Sequence, residues 1–134
     1  MFKYYINVPM NEEGLEEFES FAENTPNVYS VELTKDEYSA LSSVNGLFKE
    51  YYKAFGIIID VCEEEDIDID EIDQAIEITK QYLTKVKNET EKSGVEKVLK
   101  ALKMGKEAGY YVEFNFFLSG EWCYEKVYLS KVSS

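Results

Sequence analysis

Alternation of apolar and polar residues at both ends of the chain is the feature that most limits its fold. Residues 2–8 alternate until Pro9, and residues 28–33 repeat the pattern. This period of two is typical of strands with one buried face. Residues 112–118 and 122–128 also alternate, on either side of a Ser-Gly pair, which predicts a hairpin. Four such segments predict a largely antiparallel sheet.

Between these segments, apolar residues recur three and four positions apart, which predicts helices. A helix is expected after Asn11, and Thr34 with Glu37 has the spacing of a capping box that starts a second helix. A long helix is expected from about residue 71 to 90. Ser93 is expected to cap a last helix that ends at Gly109. The fold class is therefore α+β, with about four helices packed on one face of about four strands.

The segment after Gly46 is ambiguous. Apolar residues at helical spacing continue from Leu47 to Cys62, which favours a helix throughout. Residues 56–61, read GIIIDV, are equally compatible with a short buried strand, because periodicity does not separate the two over so few residues. Helix is the preferred prediction for residues 56–62.

The length and composition are those of one folded domain spanning residues 1–134. Apolar residues make up 45% of the chain and aromatic residues 15%, which is too rich for a disordered chain despite a net charge of −13. The first ten residues are too short and polar for a signal peptide, and no apolar run reaches the length of a membrane span. We expect a soluble, cytoplasmic protein that does not bind membranes.

Charge is divided unevenly along the chain. Residues 1–77 hold 20 acidic and 4 basic side chains, whereas residues 78–134 hold 7 acidic and 10 basic ones. The first part therefore carries a net charge of −16 and would repel nucleic acids and anionic membranes. The same field would attract a basic protein, so the expected partner is a basic protein domain and not nucleic acid.

The chain contains no histidine, and all 14 of its basic residues are lysine. Catalysis by Ser–His or Cys–His pairs is therefore excluded, and no cofactor motif is present. Cys62 and Cys123 are too few for a zinc site without histidine. They are expected to be free, mostly buried thiols in a reducing compartment. We therefore expect a protein that is not an enzyme and uses no cofactor.

The most acidic stretch is CEEEDIDIDEIDQAIE, residues 62–77, with nine carboxylates in sixteen residues. Asp66, Asp68, Asp70 and Glu77 stand at the first, third, fifth and twelfth places of an EF-hand loop. Glu71 occupies the place where that loop requires glycine for its sharp turn. Without the turn the carboxylates do not converge, so calcium binding is the weaker interpretation.

A simpler account of this stretch is the start of a helix. Asp68 and Asp70 can cap a helix that begins near Glu71, and acidic residues in a first turn are favoured by the helix dipole. This account does not explain the four carboxylates of residues 63–66, which form either a solvated loop or a surface for a basic partner. Exposed tyrosines add to such a surface. The candidate partner-binding residues are Glu63, Glu64, Glu65, Asp66, Asp68, Asp73, Tyr51 and Tyr52.

The segments IDQAIEITKQYLTKVKNE and VEKVLKALKMGKEAGYYVEFNFF give the chain a family resemblance. Over roughly residues 67–118 it resembles small immunity proteins of bacterial contact-dependent inhibition and related polymorphic toxin systems. The shared features are an acidic approach, two helices, and Ala108-Gly109 leading into an alternating strand. No functional residue is carried over, because the families have no invariant motif to match.

The resemblance implies a cytosolic inhibitor that binds a cognate toxin domain, often a basic nuclease. The charge asymmetry independently favours the same kind of partner. Two alternatives stay open at the level of sequence. One is an acidic mimic of nucleic acid that occupies the groove of another basic protein, and the other is a module that binds calcium or a small molecule.

Overall fold

The computed structural model describes residues 2–20 and 22–118. Their secondary structure is α+β, as the sequence predicts. The elements in chain order are β1 (Phe2–Pro9), α1 (Glu12–Glu19), β2 (Val28–Leu33), α2 (Lys35–Leu41), α3 (Leu47–Phe55), β3 (Glu63–Ile67), α4 (Ile69–Leu83), α5 (Glu89–Ala108) and β4 (Val112–Leu118).

The four described strands form one antiparallel sheet in the order β2-β1-β4-β3. The first strand therefore lies beside the last described one, with β2 and β3 outside them. Helices α2 to α5 pack on one face of this sheet. The core between them is a single cluster, which includes Ile6 and Phe114 from the strands and Leu41, Phe48, Ile72 and Leu102 from the helices.

Helix α5 approaches the sheet closely at Gly105. A Cβ atom at this position would lie 2.6 Å from Cγ2 of Val112 and 3.3 Å from Cδ1 of Ile72. A Cβ contact of 2.6 Å is shorter than real Cβ atoms show, so any larger residue at position 105 would push the helix and the strand apart. Glycine is what allows α5 to lie this close to β4. Val98 and Leu102 of the same helix are fully buried in the core cluster.

Two predicted helix starts are confirmed by their caps. The side chain of Asn11 accepts a hydrogen bond from the Gly14 N–H at 2.9 Å, at the start of α1. Thr34 and Glu37 form the expected capping box of α2, in which the Glu37 N–H donates to Thr34 Oγ1 at 3.1 Å. Both caps are local, which is why the sequence alone predicts them.

The boundary between the two long helices differs from the prediction. Helix α4 ends at Leu83, not near residue 90, and α5 begins at Glu89. The cap is Asn88, whose Oδ1 accepts from the Glu91 N–H at 2.8 Å, so the prediction that Ser93 is the cap is wrong. Asn and Ser are both good caps, and propensity does not choose between them.

The predicted helix over residues 56–62 is also wrong. Helix α3 ends at Phe55, and Gly56 follows with φ of 73°, a left-handed conformation that ends helices. The chain then runs without regular structure to Cys62, another residue with positive φ, at 64°. Strand β3 begins at the next residue, Glu63. A strand therefore occupies the stretch that the sequence indicated as an acidic loop or the approach to a helix.

Cys62 is disulfide-bonded, so the prediction of a free thiol is wrong at this residue. Separation along the sequence argues against a CxxC motif, but it does not set the distance between two residues in the fold. The other cysteine of the sequence, Cys123, lies outside the described residues. The predicted second hairpin strand at residues 122–128 lies outside them as well.

Membrane spanning was not expected from the sequence. Among the described helices, none combines the length and the apolar composition needed to cross a bilayer.

Candidate partner-binding surface

The acidic strand β3 divides its carboxylates between the two faces of the sheet. Strand residues alternate in direction, and directly paired residues of neighbouring strands share a face. The helix-covered face of β4 carries the buried residues Val112, Phe114 and Phe116. The residues of β3 paired with them are Ile67, Glu65 and Glu63, whereas Asp66 pairs with Glu113 and Glu64 with Asn115.

Glu64 and Asp66 therefore belong to the sheet face opposite α2 to α5, which we call the acidic face. Two rows of paired residues cross it from β2 to β3. One row is Glu32, Tyr5, Asn115 and Glu64, and the other is Ser30, Asn7, Glu113 and Asp66.

Side-chain hydrogen bonds join three residues of the second row. The Ser30 hydroxyl donates to Oδ1 of Asn7 at 2.6 Å, and Nδ2 of Asn7 donates to Oε1 of Glu113 at 3.2 Å. Glu113 is 7% exposed, although its neighbour in the row, Asp66, is exposed to solvent. The middle of the acidic face is thus a fixed polar network, with carboxylates toward its β3 side.

Tyr111, just before β4, lies where the negative charges of this face converge. Its pKa is raised to about 12, first by burial of the ring and then by the charges of Asp66, Glu113, Glu19 and Glu64. A tyrosinate would add another negative charge among these groups, so the neutral phenol is favoured. Carboxylates of α1, β3 and β4 thus all contribute to the electrostatic environment of Tyr111.

Aromatic rings accompany the carboxylates on this face. The rings of Phe18 and Tyr111 lie 6.0 Å apart between centroids and join α1 to the start of β4. The rings of Tyr5 and Phe117 are stacked with their centroids 5.9 Å apart. Tyr5, Tyr111 and Phe117 are all partly exposed. Aromatic rings beside charged groups are common where proteins bind other proteins.

The structure separates the remaining candidate residues from the acidic face. Asp68 is the N-cap of α4, and its N–H donates to Oε1 of Glu71 at 3.3 Å in a capping box. Asp73, on the same helix, is exposed and forms an ion pair with Lys106 at 2.7 Å. Asp68 therefore stands at the N-cap position predicted for it, and the Glu71 N–H donates to its main-chain oxygen at 2.9 Å. Asp70 lies in the first turn of the helix and is not the cap.

The two candidate tyrosines of α3 have opposite environments. Tyr51 is fully buried, and its hydroxyl is hydrogen-bonded to Thr79 of α4. A side chain without exposed area does not contact a partner, so Tyr51 does not belong to a binding surface. Tyr52 points outward, is 47% exposed and lies beneath the ammonium of Lys49, 4.9 Å from its ring centroid.

The four residues with EF-hand spacing, which are Asp66, Asp68, Asp70 and Glu77, do not come together in the fold. Among the residues that the structure describes, the carboxylates that form such a group are those of Asp68, Asp70 and Glu71, with one oxygen from each within 4.8 Å of the others. Asp66 is on strand β3, and Glu77 lies further along α4. Such acidic groups at a helix start are favoured by the helix dipole without any ion.

Tyr111 and two of the carboxylates that act on it, Glu19 and Glu113, were not among the candidates. Tyr111 and Glu113 could have been predicted from the alternation along β4. Both lie an even number of positions from the polar residue Asn115, which assigns them to the same face of the sheet. For Glu19 the sequence contains no such signal. Its effect on Tyr111 follows from the packing of α1, whose Phe18 ring lies beside the ring of Tyr111.

Comparison of the chain with protein-family models, with curated proteins and with solved structures gives no match. The resemblance to immunity proteins therefore stays a prediction from sequence. The acidic face is defined by the positions of its residues in the sheet and not by similarity to another protein.

Proposed function

We propose that this protein is a non-enzymatic inhibitor that binds a basic protein domain through its acidic face, as an immunity protein neutralises its cognate toxin. The observation that carries the proposal is the placement of Glu64, Asp66 and Glu113 on one face of the sheet by the pairing of β3 with β4, where, together with Glu19 of α1, their charges help raise the pKa of Tyr111. These carboxylates come from three elements far apart in sequence. Their proximity is a product of the fold and not of a run of acidic residues.

Several carboxylates on one surface produce a negative electrostatic field around it. A partner with opposite charge is attracted by that field. It also approaches faster, because long-range attraction raises association rates well above those of neutral surfaces. A nuclease that binds phosphates has a positive groove of the required sign, which is why a nuclease-like toxin domain is the proposed target.

The geometry distinguishes among the candidate residues. Glu64 and Asp66 lie on the acidic face, whereas Glu63 and Glu65 are paired with helix-side residues of β4. Asp73 has Lys106 as its ion-pair partner in the helix layer. In this proposal Glu64 and Asp66 contribute most to binding, and Asp68 acts mainly as a helix cap.

The partner is to be sought in the neighbouring reading frame and by affinity capture with the whole protein as bait. Two double variants then test the surface, each raising the net charge by two. Glu64→Gln with Asp66→Asn alters the acidic face, and Glu96→Gln with Glu107→Gln alters exposed positions of α5. We expect the first pair of changes to slow association with the partner and to weaken its salt dependence, because charges at an interface act mainly on encounter.

The α5 variant is expected to associate like the unchanged protein. Equal slowing by both variants would mean that net charge alone matters, and the acidic face would lose its role. An acidic partner would contradict the proposal outright. Thermal unfolding of both variants is measured in parallel, so that a loss of folded protein is not taken for a loss of binding.

The proposed place of action is the cytoplasm, where a toxin domain would meet its target. Disulfides are rare in that reducing compartment, yet Cys62 is disulfide-bonded. Cytoplasmic action therefore requires the acidic face to bind with Cys62 reduced. We expect the dissociation constant to be the same with and without a thiol reductant. Loss of binding on reduction would indicate an oxidising compartment instead.

A further inference from the structure

The two central strands of the sheet each place one aromatic ring on the acidic face. Tyr4 and Tyr5 are adjacent in β1, and Phe116 and Phe117 are adjacent in β4. Neighbouring residues of a strand point to opposite faces, so Tyr4 and Phe116 are buried in the core cluster. Tyr5 and Phe117 lie on the acidic face, where both are partly exposed. Their rings are stacked, with centroids 5.9 Å apart and planes inclined by 25°.

Carboxylates stand in the same row of paired residues as one of these rings. Glu32 of β2 is paired directly with Tyr5, and Glu64 of β3 follows on the other side, beyond one residue of β4. Lys3 is paired with Phe117 and forms an ion pair with Glu32 at 3.7 Å. Both members of this ion pair are more than a third exposed, so the contact is weak and Glu32 can exchange its cation at little cost.

We propose that Tyr5 and Phe117 are the anchor on the acidic face for an arginine side chain of the basic partner. A guanidinium is a flat cation that stacks on aromatic rings, while its N–H groups donate in pairs to carboxylates such as Glu32. A lysine ammonium is a more strongly hydrated point charge and has no flat face to stack. This inference rests on the proposed function and adds to it the kind of cation that the partner presents.

Charge distinguishes the guanidinium from the other flat group that stacks on such rings. A nucleobase would fit an aromatic pair, because every base has an aromatic face. It is joined to phosphate, however, and residues 1–77 carry a net charge of −16 that repels phosphate. The carboxylates beside the rings have the sign that attracts a cation, so the arrangement favours arginine over nucleic acid.

The test uses two peptides of equal length and charge, hexa-arginine and hexa-lysine. Their dissociation constants are measured by nuclear magnetic resonance titration of the whole chain at about 0.15 M salt. We expect hexa-arginine to bind the unchanged protein more tightly. In Tyr5→Leu with Phe117→Leu this preference should fall roughly two- to fivefold, because the cation loses its aromatic contact. Tyr52→Leu, which removes a 47% exposed ring from α3, is the matched control and should keep the preference.

The unchanged protein provides a second measurement that does not depend on how the double variant folds. Nuclear Overhauser contacts should join the side-chain protons of hexa-arginine to the rings of Tyr5 and Phe117. Contacts to other rings alone would overturn the inference. So would an undiminished arginine preference in the folded double variant, or tighter binding of a single-stranded DNA of six thymidines than of hexa-arginine.

The same titrations separate this inference from the proposed function. If both peptides bind and Glu64→Gln with Asp66→Asn weakens both, the acidic face keeps its role even where the arginine preference fails. If neither peptide binds the unchanged protein, the proposed function is contradicted and the inference falls with it.

Discussion

The carboxylate of Glu37 and the ammonium of Lys97 lie 2.7 Å apart and join α2 to α5. Burial alone would raise the pKa of Glu37, but hydrogen bonds from Lys97, Ser93 and the Thr34 N–H outweigh it and lower the pKa below its ordinary value. One carboxylate thus caps its own helix, fixes a second helix and positions the lysine at the sheet edge.

Replacing Glu37 by alanine should destabilise the protein by about 1.5–3 kcal/mol, because hydrogen bonds to a charged group are lost. Asp36→Ala is the matched control, since Asp36 is an exposed neighbour in the same first turn and is worth roughly 0.3–1 kcal/mol there. Urea unfolding measures both. Because the folded pKa of Glu37 is lowered, its stabilisation is present above pH 4.5 and is lost as the pH falls through the folded pKa. Equal losses in the two variants would contradict this role.

Alkaline pH should destabilise the protein through Tyr38. Burial, followed by the hydrogen bond to Asp60 and its charge, raises the pKa of Tyr38 from 10.0 to about 12. The unfolded chain therefore releases this proton first, and stability falls as the pH rises from 10 to 12. Chemical unfolding at several pH values should show a flatter decline in Tyr38→Phe than in the unchanged protein. Parallel declines would refute the assignment.

Adjacent tyrosines of α3 should respond very differently to truncation. Tyr51→Ala leaves a cavity in the core and should cost about 3–5 kcal/mol, as large aromatic deletions do. Tyr52→Ala removes a ring that is 47% exposed and should change stability by about 0.5 kcal/mol or less. Thermal and chemical unfolding of the two variants decide the matter. A costly Tyr52→Ala would mean that its ring packs against the protein.

The start of α5 can be tested at its cap. Asn88→Ala should cost about 1 kcal/mol and should speed hydrogen exchange at the Glu91 amide, whose N–H donates to Asn88. Thr90→Ala, at an exposed neighbouring position, is expected to leave that amide protected. Unchanged exchange in Asn88→Ala would place the helix start elsewhere.

Calcium is expected to bind no more tightly than millimolar. Asp68 and Glu71 take part in a capping box, Asp66 is on a strand, and Glu77 lies about 9 Å along the helix axis from Glu71. Isothermal calorimetry measures the affinity directly. A micromolar site that disappears with Asp66→Ala or Glu77→Ala would show that the carboxylates converge after all.

The candidate surface is visible in part from the sequence. Glu64 and Asp66 were predicted correctly to lie on it, because they belong to a run of acidic residues. Tyr51 was predicted wrongly, because two adjacent tyrosines on a helix cannot be distinguished until the face that packs is known. Glu19 was missed, since its effect on Tyr111 depends on how α1 packs in the fold.

Some features of the fold can likewise be predicted from the sequence, whereas others depend on the tertiary structure. The local chemistry of the sequence determined the α+β class, the strands β1, β2 and β4, and the caps at Asn11 and Thr34, because periodicity and capping act over a few neighbouring residues. The tertiary structure alone decided that Glu63–Ile67 is a strand. Four consecutive acidic residues have no intrinsic preference for a sheet, and they form one here because β4 offers them a hydrogen-bonding edge.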